Sequence, residues 1–485
     1  MNILMVSSEV APFAKTGGMA DFAGSLSQAL KARGHDLRIV TPQYKQTDAA
    51  AFDLSMCVEQ LDVGISTRVE PCAVLEGRLG SGAVPVYFLK NDGYYRRDHL
   101  YGDSQGDYPD NAERFIYFSR TVLEVCKALD FIPDLLHCCD WQTGLVPVYL
   151  EKLYRRDSRF AETASLFTIY NLSHQGVFWH YDMHLTGLDW DVFTPDGLEF
   201  YGKINLMKGG LLWADILATV SPTYSLEIQQ KGLGCGLEGV LHHRRDDLYG
   251  VLNGIEYALW SPENDPLIPQ QYHLEALQGK SACRTALVDE FSLDDAVHRP
   301  VISMASHLDD RKGADLVAKT LEEILAMDVN VIIMGTGQEK FHRLFHVIRE
   351  KFPRNMGLRL EHDPSLQHRL LAGADILLMP SRYEPWGGLQ LCALKYGTIP
   401  IVCPVGSLND SVRDMVAAAD GTGFFLSEAA PAALLDTVRT ALEVYRNQEA
   451  WQSLQRRAMQ EDFSWKVSAE AYERLYAKAR EKHSG

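Results

Sequence analysis

The first apolar run, Ile3-Leu4-Met5-Val6, has no polar interruption and reads as a strand buried on both faces. Phe22, Leu26 and Leu30 then recur at helical spacing, and Asp36 to Val40 reads as a second strand. Between residues 53 and 90 the pattern changes to alternation: Met56, Val58, Leu61 and Val63, then Val69, Cys72, Val74 and Leu75, then Val84 to Leu89. Gly64, Gly77, Gly80 and Gly82 punctuate these runs, which predicts antiparallel hairpins added to a sheet edge. Asn91 to Asp110 is rich in Tyr, Asp and Gly and reads as a surface loop. Asn111 to Leu129 is helical, with Phe115, Phe118, Val122 and Val125 on one side. A strand over Pro133 to His137 follows, and Asp140-Trp141-Gln142 opens a helix. Leu166 to Tyr170 is a strand, 174–200 an aromatic-rich loop, Tyr201 to Trp213 a helix and Ile216 to Val220 a strand. Ser221-Pro222-Thr223 has the form of an N-cap with proline at the first helical position.

A polar connector over Asp265 to Asp295 carries the first helix of a second series. Strands are predicted at Val301 to Ala305, Val329 to Met334, Gly357 to Glu361, Ile376 to Pro380 and Ile399 to Cys403. Helices are predicted at Gly313 to Met327, Pro364 to Ala372, Trp386 to Tyr396, 431–446 and 449–480. Two successive strand–helix arrays predict an α/β chain of two doubly wound, Rossmann-like domains facing a cleft. The expected divisions are residues 1–255, 256–462 and a C-terminal helix, 463–485, that packs back on the first domain through Trp465, Ala469, Tyr472, Leu475 and Tyr476.

Length and charge narrow the function. A chain of 485 residues exceeds one core. Its 46% hydrophobic and 23% charged content fits a soluble globular protein, and no apolar run is long enough to span a bilayer. The net charge of −17 has the wrong sign for a nucleic-acid partner. The nine cysteines show no C-x-x-C spacing and Met1 to Val6 enters a strand directly, so reduced thiols and a cytoplasmic location are expected.

Candidate chemistry collects where strands end. Lys15-Thr16-Gly17-Gly18 joins the first strand to the first helix. The glycines permit close backbone approach and positive φ, the helix N-terminus offers N–H groups to an anion, and Lys15 adds a full charge. A tight turn with a solvated lysine is the plainer alternative. Asp21, His137, Asp140, Asn171 and Asn253 stand on or near successive strand ends of the same half. In the second half, Arg311 and Lys312 precede a helix and suit phosphate. Glu384-Pro385-Trp386-Gly387-Gly388 places an acid before a glycine-opened helix, suited to sugar hydroxyls and phosphate, or to stabilising its own helix.

These stretches resemble the bacterial glycogen synthase and plant starch synthase family. The resemblance rests on Lys15-Thr16-Gly17-Gly18-Met19-Ala20-Asp21, Trp213-Ala214-Asp215, Ser221-Pro222-Thr223-Tyr224 and Gly250-Val251-Leu252-Asn253-Gly254-Ile255. It also rests on Ser381-Arg382-Tyr383-Glu384-Pro385 and Asp462-Phe463-Ser464-Trp465. It implies the GT-B fold and a retaining transfer of glucose from ADP-glucose to the non-reducing end of an α-1,4-glucan, with neither metal nor cofactor. It implies that Lys15, Lys312 and Arg311 face the diphosphate, Glu384 the glucose hydroxyls and His362 the base, while Asp140, Asn171 and Asn253 line the acceptor and sugar side. Gly17, Gly18, Asp21, His137, Trp386, Gly387 and Gly388 join the binding set.

The chain departs from the family pattern where it reads Tyr170 for a histidine beside the donor glucose and His307 for a phosphate-binding arginine. Cys139 and Leu389 replace a second histidine and a helix-start threonine, and Val405-Gly406-Ser407-Leu408 replaces T-G-G-L. These departures define a second reading: a glucan-binding homologue with weak turnover, or a transferase with another donor such as UDP-glucose.

Overall fold

The protein is described here by a computed structural model covering residues 1–294 and 299–485. Met1–Val251 with Trp465–Gly485 forms one unit, and Leu252–Ser464 a second.

The first unit is built on β1 (Asn2–Val6), β2 (Asp36–Pro42), β3 (Ser55–Ile65), β4 (Arg68–Leu79), β5 (Val84–Lys90), β6 (Leu135–Cys139), β7 (Ala164–Ile169), β8 (Ile216–Thr219) and β9 (Leu248–Gly250). They form one nine-stranded sheet in the order β9-β8-β7-β6-β1-β2-β5-β4-β3. The uninterrupted apolar runs are its parallel members. The alternating runs β3 and β4 are antiparallel at its edge, as half-covered strands require. Helix α1 (Gly18–Ala32) buries one face, and α2 (Asn111–Ala128) is buried nearly all round. The helix expected over Tyr201 to Trp213 is shorter: α3 begins at Leu206, because Glu199–Phe200 and Lys203–Asn205 pair as strands and the Asn205 side chain caps the helix by accepting from the Lys208 N–H at 3.0 Å.

The second unit has a six-stranded parallel sheet. Its strands are β10 (Val301–Ala305), β11 (Asn330–Met334), β12 (Met356–Arg359), β13 (Ile376–Met379), β14 (Ile399–Val402) and β15 (Phe424–Phe425), in the order β12-β11-β10-β13-β14-β15. Around it lie α4 (Gln278–Glu290), α5 (Ala314–Leu325), α6 (Pro364–Gly373), α7 (Gly388–Lys395), α8 (Pro431–Arg446) and α9 (Gln448–Gln460).

The expected single helix over 449–480 is two helices, α9 and α10 (Trp465–Ser484). Between them the Phe463 N–H donates to the Tyr257 hydroxyl and its carbonyl accepts from the Ile255 N–H, both at 2.8 Å, so this backbone is committed to a strand-like pairing. α10 belongs to the first unit, where Trp465, Ala469, Tyr472, Leu475 and Tyr476 share a core with Ile3, Met5, Phe22 and Leu26.

In both sheets the strand order reverses beside the first strand: β1 lies between β2 and β6, and β10 between β11 and β13. The carboxyl ends at such a switch point are where open α/β sheets bind ligands. Among the described residues no helix is long and apolar enough to cross a membrane.

Candidate active site

At the switch point of the first unit, β1 runs into a turn organised by Glu9. This carboxylate is buried and accepts from the Thr16 N–H, from Thr16 Oγ1 at 2.7 Å and from the Tyr101 hydroxyl at 2.6 Å. Lys15 is exposed, with Nζ 2.8 Å and 2.7 Å from the two carboxylate oxygens of Asp21 in the first turn of α1. The positive φ expected of the glycine pair is not adopted. Gly17 is extended at φ −155°, ψ −169° and Gly18 begins the helix. What Gly17 supplies is open space: a Cβ there would meet nothing within 4 Å, and no side chain caps the helix.

Asp140 follows β6 at φ +60°, a region a residue with a Cβ rarely adopts. Its Oδ1 accepts from the backbone N–H groups of Tyr170 at 3.1 Å and Asn171 at 3.5 Å, at the end of β7. Burial pushes its carboxyl up to about 8, against the pull of those two amides. Asn171 spends its side-chain oxygen on Ser173, accepting from the N–H at 3.1 Å and from Oγ at 2.7 Å. The Tyr170 ring lies 6.0 Å from Phe22.

His137 is not at a ligand surface, which corrects its place in the binding set. It lies inside β6, fully buried, with Nδ1 2.8 Å from the Tyr476 hydroxyl of α10 and Nε2 2.7 Å from Thr168 Oγ1. Burial pushes its pKa down to about 3, so it is a neutral core residue.

In the second unit, Lys312 follows β10 and Glu384 follows β13, two neighbouring strands at the switch point. Lys312 Nζ donates to the two Glu384 carboxylate oxygens at 2.7 Å and 2.6 Å, and Ser381 Oγ donates to the same carboxylate at 3.0 Å. The Lys312 N–H is held by Asp309 Oδ1 at 2.8 Å. Gly387 stands at φ +47°, where a Cβ would lie 2.8 Å from Glu384 Cγ and 2.7 Å from Ser407 Oγ. Only glycine fits, and its left-handed turn delays the helix expected from Trp386 until Gly388. The Trp386 ring covers Gly388, whose Cβ would fall 2.6 Å from it.

The remaining candidates sit around this pair. His307 is exposed beyond β10, and His362 is exposed just before Asp363 caps α6. Arg311 points outward, 67% exposed, with Nε 3.7 Å from Asp309. Asn253 is buried, and both its amide atoms lack a hydrogen-bond partner among the described residues. Arg382, within the motif that carries Glu384, is structural: it donates to both carboxylate oxygens of Asp315, at 2.6 Å and 3.1 Å. The structure therefore joins Lys15 to Asp21, Asp140 to the Tyr170–Asn171 backbone and Lys312 to Glu384. Glu9, Ser381, Asp309 and Ser407 are the supporting residues that the sequence did not single out, although Asp309 stands three positions before Lys312, the spacing of a side-chain cap.

A family model described as "Starch synthase catalytic domain" matches residues 2–243, and one described as "Glycosyl transferases group 1" matches residues 289–458. Across 98% of its length the chain is 44% identical to the glycogen synthase of Anaeromyxobacter sp. (strain Fw109-5), covering 99% of that protein. The chain belongs to the starch and glycogen synthase family. It is thus a glycosyltransferase, and a second family member, the glycogen synthase of Syntrophotalea carbinolica, is 43% identical over the full length of both chains. The catalytic domain of Starch Synthase IV from Arabidopsis thaliana, solved with ADP and acarbose bound, superposes with a TM-score of 0.89 at 29% identity, covering 99% of each chain. The family fold, GT-B, is therefore the fold of this chain. Sucrose-phosphate synthase from Thermosynechococcus elongatus shares that fold at a TM-score of 0.60 and 16% identity.

Proposed function

We infer that this glycogen synthase-type glucosyltransferase takes glucose from ADP-glucose and adds it to the non-reducing end of an α-1,4-glucan with retention. The observation that carries this reading is the Lys312–Glu384 pair at the switch point of the second sheet. The bond from glucose C1 to the diphosphate breaks, a bond from C1 to the acceptor hydroxyl oxygen forms, and the hydroxyl proton leaves with the diphosphate. A lysine already held in place meets the charge that builds on the departing oxygen. Glu384, with Lys312 drawn to the diphosphate, then offers its oxygens to sugar hydroxyls.

Around that pair we assign Arg311 and His307 to the phosphates, His362 to the base, and Trp386, Gly387, Gly388 and Asn253 to the glucose. In the first unit, Lys15 and the uncapped helix start at Gly17 and Gly18 form a cationic strand end whose position Asp21 fixes, and Asp140, Asn171 and Tyr170 line the glucan side. Adenine as the donor base is supported by the ADP bound to the Arabidopsis relative. The cytoplasm is the proposed compartment, because all nine cysteines are free thiols and seven of them are buried.

The test is glucose incorporation into glycogen by the purified protein, with ADP-glucose and UDP-glucose in parallel. Faster transfer from ADP-glucose is the expected result. A folded protein that transfers from neither donor would overturn the reading, and gain of transfer in Tyr170→His with His307→Arg would then identify the two substitutions responsible.

A further inference from the structure

At the amino ends of the second sheet, away from the strand ends that carry Lys312 and Glu384, the second unit holds a cavity of about 460 Å³. Asp375 lines it one residue before β13, and its Oδ2 accepts from the Val301 N–H at 2.9 Å, where β10 starts. Lys280 lines it too, donating to the carbonyls of Leu371 at 3.3 Å and Ala372 at 3.1 Å and to Thr398 Oγ1 at 2.7 Å, just before β14. Two helices open onto this space. α4 starts at Gln278 with no side chain capping it, and the opening turns of α9 supply Gln448, Trp451 and Gln452.

The lining favours an anion. Lys280, Arg284 and Arg456 stand against Asp375 and Glu275. Lys280 uses all three of its ammonium hydrogens on the protein, so it contributes charge rather than contact. Arg284 donates from Nη2 to the Arg299 carbonyl at 2.5 Å, and its Nε lies 3.8 Å from Asp375. These two cations more than offset the buried carboxylate. Arg456 is exposed and makes no hydrogen bond or ion pair among the described residues. Trp451 is 2% exposed, with its ring 5.1 Å from that of Tyr445, and its indole N–H has no acceptor among the described residues. A buried donor without an acceptor is costly, so one in a cavity wall calls for an acceptor from the occupant. The uncapped start of α4 adds N–H groups and partial positive charge.

A phosphate group has three acceptor oxygens to share among the helix start, the Arg456 guanidinium and the indole N–H, where a carboxylate has two. The volume is that of a small-molecule site and exceeds a bare ion. On the rim, Gln278, Gln452 and Glu275 offer partners to hydroxyl groups. We propose that this cavity is a binding site for a small organic phosphate that carries hydroxyl groups. Its place at the amino ends of the strands separates its occupant from the glucosyl donor and from the glucan, whose sites lie at the carboxyl ends.

The experiment titrates the full-length protein with glycerol 3-phosphate in a calorimeter, with inorganic phosphate and glycerol in parallel. The variants are Arg456→Ala, Trp451→Phe, which keeps a packed ring and removes the N–H, and Lys312→Ala, which reports on the transfer site. Glycerol 3-phosphate should bind the parent and Lys312→Ala alike, and glycerol should not bind. Arg456→Ala should raise the Kd about ten- to hundredfold, and Trp451→Phe about two- to tenfold. Glucosyl transfer without added phosphate should be the same in both cavity variants as in the parent. No heat at millimolar glycerol 3-phosphate would overturn the proposal, as would an unchanged Kd in both cavity variants. Binding lost in Lys312→Ala and kept in Arg456→Ala would place the phosphate at the transfer site and overturn it too. Inorganic phosphate binding as tightly as glycerol 3-phosphate would replace the organic occupant with a bare anion. A protein that binds glycerol 3-phosphate through Arg456 yet transfers from no nucleotide sugar would keep this site and remove the proposed function instead.

Discussion

Lys312 Nζ lies 2.7 Å and 2.6 Å from the two carboxylate oxygens of Glu384, across the ends of neighbouring parallel strands. Glu384 is buried and Lys312 partly so, so each needs the other. Taking one charge from such a pair strands its partner in a poorly solvated place.

Lys312→Ala should therefore lower kcat for glucosyl transfer about 10²- to 10³-fold, the usual consequence of losing one preorganised group that stabilises the transition state. Glu384→Gln keeps a neutral isostere and should lower kcat while leaving glycogen binding intact. Initial rates at saturating donor, beside donor-free glycogen retardation, separate the two effects.

Lys15 and Asp21 form an exposed pair, and such pairs are worth about 0–1 kcal/mol. Lys15→Ala should leave the melting temperature unchanged while transfer falls at least tenfold. Calorimetry and initial rates on one preparation check this; unchanged activity would reduce Lys15 to a partner for Asp21.

Asp140 gives a signed pH dependence. Its carboxyl titrates at about 8 in the folded chain against 3.8 unfolded. Between these values the folded state keeps a proton that the unfolded state has released, so this residue's contribution to stability falls as pH rises from about 4 to 8 and is level above. Asp140→Asn retains an oxygen for the Tyr170 and Asn171 amides and removes the titration. Its stability relative to the parent should climb across that window in urea unfolding curves, and parallel curves would contradict the assignment.

His137 has the opposite dependence. Its folded pKa of about 3 lies below the ordinary 6.5, so acidification from 6.5 toward 3 protonates the unfolded state first and removes stability. Tyr476→Phe leaves Nδ1 without its partner 2.8 Å away and should cost about 1–3 kcal/mol. Amide exchange along α10, in the parent under acid and in the variant at neutral pH, should rise first in that helix.

Much of this architecture was legible in the chain because the hydrophobic period changes with the environment of each element. Uninterrupted runs such as Ile3 to Val6 are parallel strands, the alternating runs within 53–79 are the antiparallel edge, and Val84 to Lys90 joins the two by pairing in parallel with β2. Lys312 and Glu384 were legible as strand-end residues, but their mutual bond was not, since pairing across β10 and β13 depends on strand order. His137 was misplaced for a related reason. In a strand covered on both faces, periodicity does not reveal which side receives a helix from the far end of the chain, and α10 covers His137. Glu9 went unmarked because its bonds to Thr16 depend on how the turn between them closes, and Tyr101 reaches it only when the loop over 91–110 folds back. The breaks at 205 and 461–464 depend on partners that no hydrophobic period records: the pairing of Lys203–Asn205 with Glu199–Phe200 at the first, and the bonds of Phe463 to Tyr257 and Ile255 at the second.

The return of α10 into the first core has a consequence for biogenesis. During translation, Leu252–Ser464 emerges complete before any residue of α10 does. The second unit has all of its own strands by then, while the unit begun first still lacks Trp465, Tyr472 and Tyr476 against Met5 and Phe22. The older half of the nascent chain thus stays unfinished longest, its apolar face waiting for chaperone cover. A premature stop at codon 465 would damage the unit at whose start the ribosome began, and spare the one it had just completed.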